Sequence, residues 1–130
     1  MAKILVVDDE RSVREMLQMF LESAGHSIAQ AETGMEGLAK LRDGAFELLI
    51  LDVGMPGLSG LAMLRLLRRE ARFAKLPVLM CTANGKMADL DSAFEAGANG
   101  YIIKPFDAAS LNQAVSNGLA CMGKPPQKSA

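Results

Sequence analysis

The chain predicts an α/β fold of the doubly wound kind, a five-stranded parallel sheet with helices on both faces. Three observations carry this. Short apolar runs alternate with amphipathic stretches five times along the chain. The strongest runs are apolar at every position, as strands buried on both faces are. Most of the runs end, on their C-terminal side, in an acid, a hydroxyl or a lysine.

The first run is Ile4-Leu5-Val6-Val7, followed by acids. Val13, Met16, Leu17, Phe20 and Leu21 then recur at i, i+3, i+4, i+7 and i+8, one stripe of a helix that Gly25 closes. Ser27 to Ala31 is a weaker strand. Gly34 to Arg42 is a second helix with Leu38 and Leu41 inward. Leu48-Leu49-Ile50-Leu51 runs into Asp52, and a loop rich in turn formers follows from Gly54 to Gly60. Leu61, Leu64 and Leu67 mark the third helix. Pro77 to Cys81 is the fourth strand, with proline tolerated at its start. Leu90, Ala93 and Phe94 line a fourth helix ending near Gly97, and Tyr101-Ile102-Ile103 is the fifth strand. Leu111, Ala114, Val115 and Leu119 line the last helix, capped by Asp107 or a neighbour. The expectation is one domain over residues 2–121, with 122–130 a frayed tail or the start of a linker.

Such alternation requires right-handed crossovers. For five strands the common flavodoxin-like order is 2-1-3-4-5, a (βα)5 sandwich with its topological switch between strands 1 and 3. Ligands bind there, outside the carboxyl ends of the strands.

Bulk properties narrow the function. The chain has 130 residues, 14 basic and 15 acidic, for a net charge of −1. That balance offers no electrostatic footprint for direct nucleic-acid binding. Met1-Ala2-Lys3 leads straight into a strand without a signal-peptide pattern, and no run of about 18 apolar residues suggests a membrane span. A cytoplasmic protein, a monomer or weak dimer, is expected. The two cysteines, Cys81 and Cys121, fit no metal-ligand spacing and read as free thiols. His26 reads as a plain loop residue after a helix-closing glycine. The nine methionines are mostly core filler, although exposure of Met19 and Met87 would hint at a partner surface.

The chemistry sits at the strand ends. In the expected order Asp8-Asp9, Asp52, Thr82 and Lys104-Pro105 share one edge of the sheet. Carboxylates this close repel by about 1 kcal/mol per pair at 4 Å in water and about 4 at an effective dielectric of 20. A cluster of this kind holds protons or a cation. Few, hard oxygen ligands suit Mg2+, which keeps waters and is completed by a phosphate. Lys104 adds a positive charge and Thr82 a hydroxyl donor. Phosphoryl transfer needs little beyond positioning and charge neutralisation, and aspartate is a competent covalent acceptor. Each residue also has a plainer reading: Asp8 and Asp9 as caps of the helix starting near Arg11, Asp52 as a turn former, Thr82 as an ordinary strand end, Lys104 as a solvated charge, Tyr101 as an edge-strand aromatic. Their joint arrival at one edge favours the functional reading.

The pieces Val7-Asp8-Asp9-Glu10, Asp52-Val-Gly-Met-Pro-Gly-Leu-Ser-Gly60, Thr82-Ala83 and Gly100-Tyr101-Ile-Ile-Lys104-Pro105 together resemble the receiver (CheY-like) domain of two-component response regulators. The resemblance covers residues 2–121. It implies a phosphoacceptor signalling switch rather than an enzyme with turnover. Asp52 would take a phosphoryl group from a histidine kinase or histidine phosphotransfer protein. Mg2+ would be held by the side chains of Asp9 and Asp52 and the Gly54 carbonyl, with Asp8 acting mainly through water. Lys104 would pair with Asp52 and then with the phosphoryl oxygens. Thr82 and Tyr101 would be the switch residues, Tyr101 swinging inward, and the bond before Pro105 would be cis. Gly54 and Asn84 would tune dephosphorylation. The face of helix 4, strand 5 and helix 5 would meet a downstream protein.

Three alternatives stand beside this. A flavin mononucleotide carrier shares the fold, but Asp8-Asp9-Glu10 in the first loop repels a phosphate held without metal. A haloacid-dehalogenase-type phosphatase wants a second acid two residues after the nucleophile, where this chain has Gly54. A receiver belonging to a longer regulator, with a DNA-binding or enzymatic output domain, is the third.

Overall fold

The computed structural model describes residues 2–53, 55, 57–82 and 87–120, without the side chains of 87–90. The strands are β1 (Lys3–Val7), β2 (Ser27–Ala31), β3 (Leu48–Asp52), β4 (Val78–Thr82) and β5 (Gly100–Ile103). The helices are α1 (Arg11–Ser23), α2 (Gly34–Asp43), α3 (Gly60–Arg69), α4 (Met87–Ala96) and α5 (Ala108–Ala120). A short 3-10 turn, Ala71–Phe73, follows α3 and has no counterpart in the sequence reading. All pairings are parallel, in the expected order β2-β1-β3-β4-β5.

The continuous apolar runs are explained by two cores, one on each face. Leu5, Val7, Leu49, Leu51, Val78 and Met80 point to one side, with Leu38 and Leu41 of α2 and Met63, Leu64 and Leu67 of α3. Ile4, Val6, Leu48, Ile50, Leu79 and Cys81 point to the other, with Leu17 and Leu21 of α1 and Leu111 and Val115 of α5. Successive side chains leave opposite faces of a strand, so both halves of the β1, β3 and β4 runs are buried, whereas β5 buries Ile102 and exposes Tyr101 and Ile103. β2, at one sheet edge, is only partly buried, in keeping with its weaker apolar pattern.

Local signals end the elements. Gly25 and Gly97 adopt φ of 94° and 110° just after α1 and α4, a left-handed conformation that suits glycine. Asp107 caps α5: its Oδ1 accepts from Ser110 N at 2.7 Å. Asp8 and Asp9 do not cap α1, whose N-cap is Glu10 with no side-chain cap bond. One expectation is corrected. Met16 is not on the buried stripe but is exposed, and Arg14 takes its place beside Leu17 and Leu21. Positions 14, 17 and 21 are spaced i, i+3 and i+7, so the arginine lies on the inward face. His26 is a structural loop residue, its Nδ1 accepting from Ala2 N at 3.1 Å. Burial first, then the nearby N-terminal charge, lowers its pKa against the opposing effect of Glu47. Cys81 is buried and burial raises its thiol pKa to about 12, which keeps it an inert core residue. Cys121, residues 122–130 and the side chains of Met87 and Leu90 lie outside the described residues.

One packing constraint reaches the carboxyl edge directly. The start of α3, capped by Ser59, lies against the end of β3. A Cβ on Gly60 would sit 1.9 Å from the Asp52 carbonyl oxygen and 2.7 Å from its carbon. Backbone cannot yield that much without shifting an element. Gly60→Ala is therefore expected to cost about 1–3 kcal/mol, read as a lower urea midpoint; an unchanged midpoint would contradict the packing described.

Candidate functional site

The registers set the site. Val7 aligns with Leu51, so Asp8 and Asp52, the residues after and at the ends of their runs, become neighbours across β1 and β3. Asp52 aligns with Cys81, one residue before Thr82, and Thr82 aligns with Ile103, one residue before Lys104. Four strands thus deliver Asp8, Asp52, Thr82 and Lys104 to one edge. Lys104 N donates to the Thr82 carbonyl at 2.7 Å, fixing the last of these to β4. The Lys104–Pro105 bond is cis, as the resemblance implied.

These groups are buried polar residues in a chain that buries few. Asp8 is 1% exposed, Asp52 7% and Thr82 5%. The ammonium of Lys104 joins the two carboxylates, 3.0 Å from Asp8 Oδ2 and 3.6 Å from Asp52 Oδ1. The resemblance led us to expect Lys104 on Asp52; Asp8 is the nearer partner. Its carboxylate is also held by Glu10 N, which donates to Oδ1 at 2.9 Å. Burial alone would lower the Lys104 pKa, but contact with Asp8 and the charges of Asp8 and Asp52 outweigh it, and the net shift is upward. The lysine is therefore an ammonium ion at neutral pH.

The acids present the donor set of a hard cation. Carboxylate oxygens of Asp8, Asp9 and Glu10 lie within 4.8 Å of one another. Asp8 Oδ2 is buried and receives no aligned hydrogen bond, although Lys104 is close. A buried carboxylate oxygen held by an ion pair rather than by an aligned hydrogen bond, beside two exposed acids, fits Mg2+, which takes few protein oxygens and keeps water. Glu10 is the member that sequence reasoning did not assign as a ligand. Its clue was its place directly after the two aspartates. Gly54, proposed as a backbone ligand and tuning position, lies outside the described residues, as do Ala83 and Asn84. Tyr101 is 43% exposed on β5, its ring edge-on to Phe94 at 6.1 Å, so it faces outward here. Met19 on α1 is exposed.

The family model for the response regulator receiver domain matches residues 4–116. The chain belongs to the receiver-domain family of two-component response regulators. It is similar to the chemotaxis protein CheY of Pseudomonas aeruginosa, 40% identical over 114 residues, covering 87% of this chain and 92% of that protein. It is 42% identical over 104 residues to the transcriptional regulatory protein ResD of Bacillus subtilis, covering 80% of this chain but only 42% of the relative. Among solved structures, a response regulator from Chloroflexus aurantiacus matches with a TM-score of 0.88 and 38% identity, over 92% of this chain and 98% of that one. Receiver domains are signalling switches that generally bind Mg2+ at an acidic pocket, and this receiver carries such an acidic group. Among the described residues no helix is long and apolar enough to cross a membrane.

If Lys104 balances a carboxylate cluster that also fits a cation, the two should substitute for each other in part. The lysine's raised pKa means its contribution is fully present below the ordinary lysine value and is lost only as pH rises through the higher folded value. At pH 7 in EDTA, Lys104→Met is expected to lose about 1–3 kcal/mol in urea denaturation. Mg2+ should restore more stability to the variant than it adds to the wild type. Equal Mg2+ effects on both would contradict the shared site.

Proposed function

We propose that this receiver is the phosphoacceptor switch of a two-component phosphorelay, with Asp52 as the acceptor. The observation that supports this best is the convergence of Asp8, Asp52 and Lys104, far apart in sequence, at one buried edge. In this reading a carboxylate oxygen of Asp52 attacks phosphorus of a phosphohistidine on a histidine kinase or histidine phosphotransfer protein. The new O–P bond forms as the P–N bond breaks, and the leaving nitrogen keeps the electron pair. Asp9 and Asp52, with Asp8, Glu10 and the Gly54 carbonyl, would hold Mg2+. When bound, the metal supplies charge neutralisation for the phosphoryl oxygens.

The chain's own residues do the rest. The Lys104 ammonium, already between the two carboxylates, transfers its contact to a phosphoryl oxygen once Asp52 is modified. That exchange needs only a short movement of a flexible side chain, since both positions lie within the reach of one Nζ. Thr82, at the end of β4, offers its hydroxyl to another oxygen. Because Thr82 begins the connection to α4, capturing its side chain biases that connection toward a second arrangement. Tyr101, exposed in this structure, is the side chain that follows it inward, and the face of α4, β5 and α5 then meets a downstream protein differently. Gly54 and Asn84, flanking the acceptor and the hydroxyl in sequence, tune how fast water removes the phosphate. The receiver domain spans residues 2–121, and the protein acts in the cytoplasm. That ResD is a longer transcriptional regulator keeps a second reading open, in which such a receiver controls an attached output domain.

Incubation with radiolabelled acetyl phosphate tests the acceptor. Mg2+-dependent label is expected on the wild type, to be absent from Asp52→Asn and retained by Asp8→Asn at higher Mg2+. Full labelling of Asp52→Asn would overturn the assignment.

A further inference from the structure

Arg14 is the one buried arginine among the described residues, 5% exposed, and it sits on the core-facing stripe of α1. An apolar residue there would avoid the cost of desolvating a guanidinium. What the arginine does instead is bind three acceptors. Its Nη1 donates to the Asp8 carbonyl at 2.7 Å, its Nε to Gln30 Oε1 at 3.1 Å, and its Nη2 to Glu32 Oε1 at 3.4 Å. Gln30 is braced in turn by Gln18 of the same helix.

The target of the shortest bond decides its meaning. The Asp8 carbonyl shares one rigid peptide plane with the amide of Asp9. Holding that oxygen fixes the direction in which the chain leaves β1, and with it the start of Asp8-Asp9-Glu10. Those three carboxylates lie within 4.8 Å of one another and repel. Asp8 is gripped at two further points, its N donating to the Ala31 carbonyl at 3.2 Å and its Oδ1 accepting from Glu10 N at 2.9 Å. Lys104 compensates the cluster from the front, on side-chain oxygens. Arg14 holds it from behind, through the backbone and the end of β2.

We infer that Arg14 is a positioning residue for divalent-cation binding: it pre-organises the Asp8–Glu10 acids and thereby sets Mg2+ affinity. The inference rests on the reading of those acids as the Mg2+ site. A planar guanidinium reaches three acceptors in fixed directions, which a lysine ammonium on a flexible stem does not. Outer partners of metal ligands typically change affinity about 10- to 100-fold when removed.

The test is Mg2+ binding by isothermal titration calorimetry on the full chain, with Mn2+ electron paramagnetic resonance as a second readout. Arg14→Met is expected to bind about 10- to 100-fold more weakly than wild type, with Arg14→Lys between the two. Leu21→Ala, a core truncation on the same helix, is expected to lower the melting temperature and keep wild-type affinity. Wild-type affinity in Arg14→Met overturns the inference, as does an equal loss in Leu21→Ala. Should Arg14→Met not fold, wild-type affinity in Arg14→Lys does the same. Absence of saturable Mg2+ binding in the wild type would instead overturn the functional reading beneath it.

Discussion

A half-buried ammonium between two buried carboxylates is the constraint on which the carboxyl edge depends. Lys104 lies 3.0 Å from Asp8 and 3.6 Å from Asp52, and both acids are almost wholly removed from solvent. Without the lysine two like charges would face each other in a medium of low dielectric, where their repulsion is several times its value in water. With it, one of the two buried negative charges is compensated, and the remaining charge, together with Asp9 and Glu10 beside it, leaves the edge suited to a cation. Three strands contribute to this contact, so it also reports the correct order of the sheet.

The backbone is arranged to keep those groups where the charge requires them. Lys104 N is tied to the Thr82 carbonyl, so the backbones that carry the lysine and the hydroxyl are joined where β4 and β5 end. Gly60 lets α3 start directly on the Asp52 carbonyl. Arg14 grips the carbonyl of Asp8. At the opposite end of α4, Arg68 donates to the Gly97 carbonyl and to Asn99 Oδ1, while Val78 N donates to that same Asn99 oxygen. The C-terminal end of α4 is thus fastened to α3 and β4, and in the sequence its first residue, Met87, comes five positions after Thr82.

Much of this was legible in the sequence because it follows from period and position. Every-residue apolar runs such as Leu48–Leu51 announce strands buried on both faces, and their last residues fall at the ligand edge by topology alone. Asp8, Asp52, Thr82 and Lys104 were placed at one edge in that way, and the registers bring them there. What escaped was set by three-dimensional geometry. Met16 fits a helical stripe on paper, yet the sheet accepts positions 14, 17 and 21, and the inward polar residue is anchored by acceptors on β1 and β2 that no local pattern reveals. The preference of Lys104 for Asp8 over Asp52 is a matter of tenths of an ångström, beyond the reach of spacing arguments. Glu10 joins the acids because α1 begins immediately after it. The 3-10 turn after α3 is closed by its own backbone bonds, Phe73 N to the Glu70 carbonyl at 3.0 Å and Ala74 N to the Ala71 carbonyl at 3.4 Å, with one further bond from Arg68 to the Phe73 carbonyl.

The central claim is that the phosphoryl group is received at Asp52 and nowhere else on this edge. Borohydride reduction of the protein after treatment with acetyl phosphate and Mg2+, followed by peptide mass spectrometry, tests it most directly, because reduction of an acyl phosphate converts that aspartate into homoserine. The account expects homoserine at position 52 alone, and only when Mg2+ is present. Homoserine at position 8 or 9, or an Asp52 left unmodified under those conditions, would contradict it.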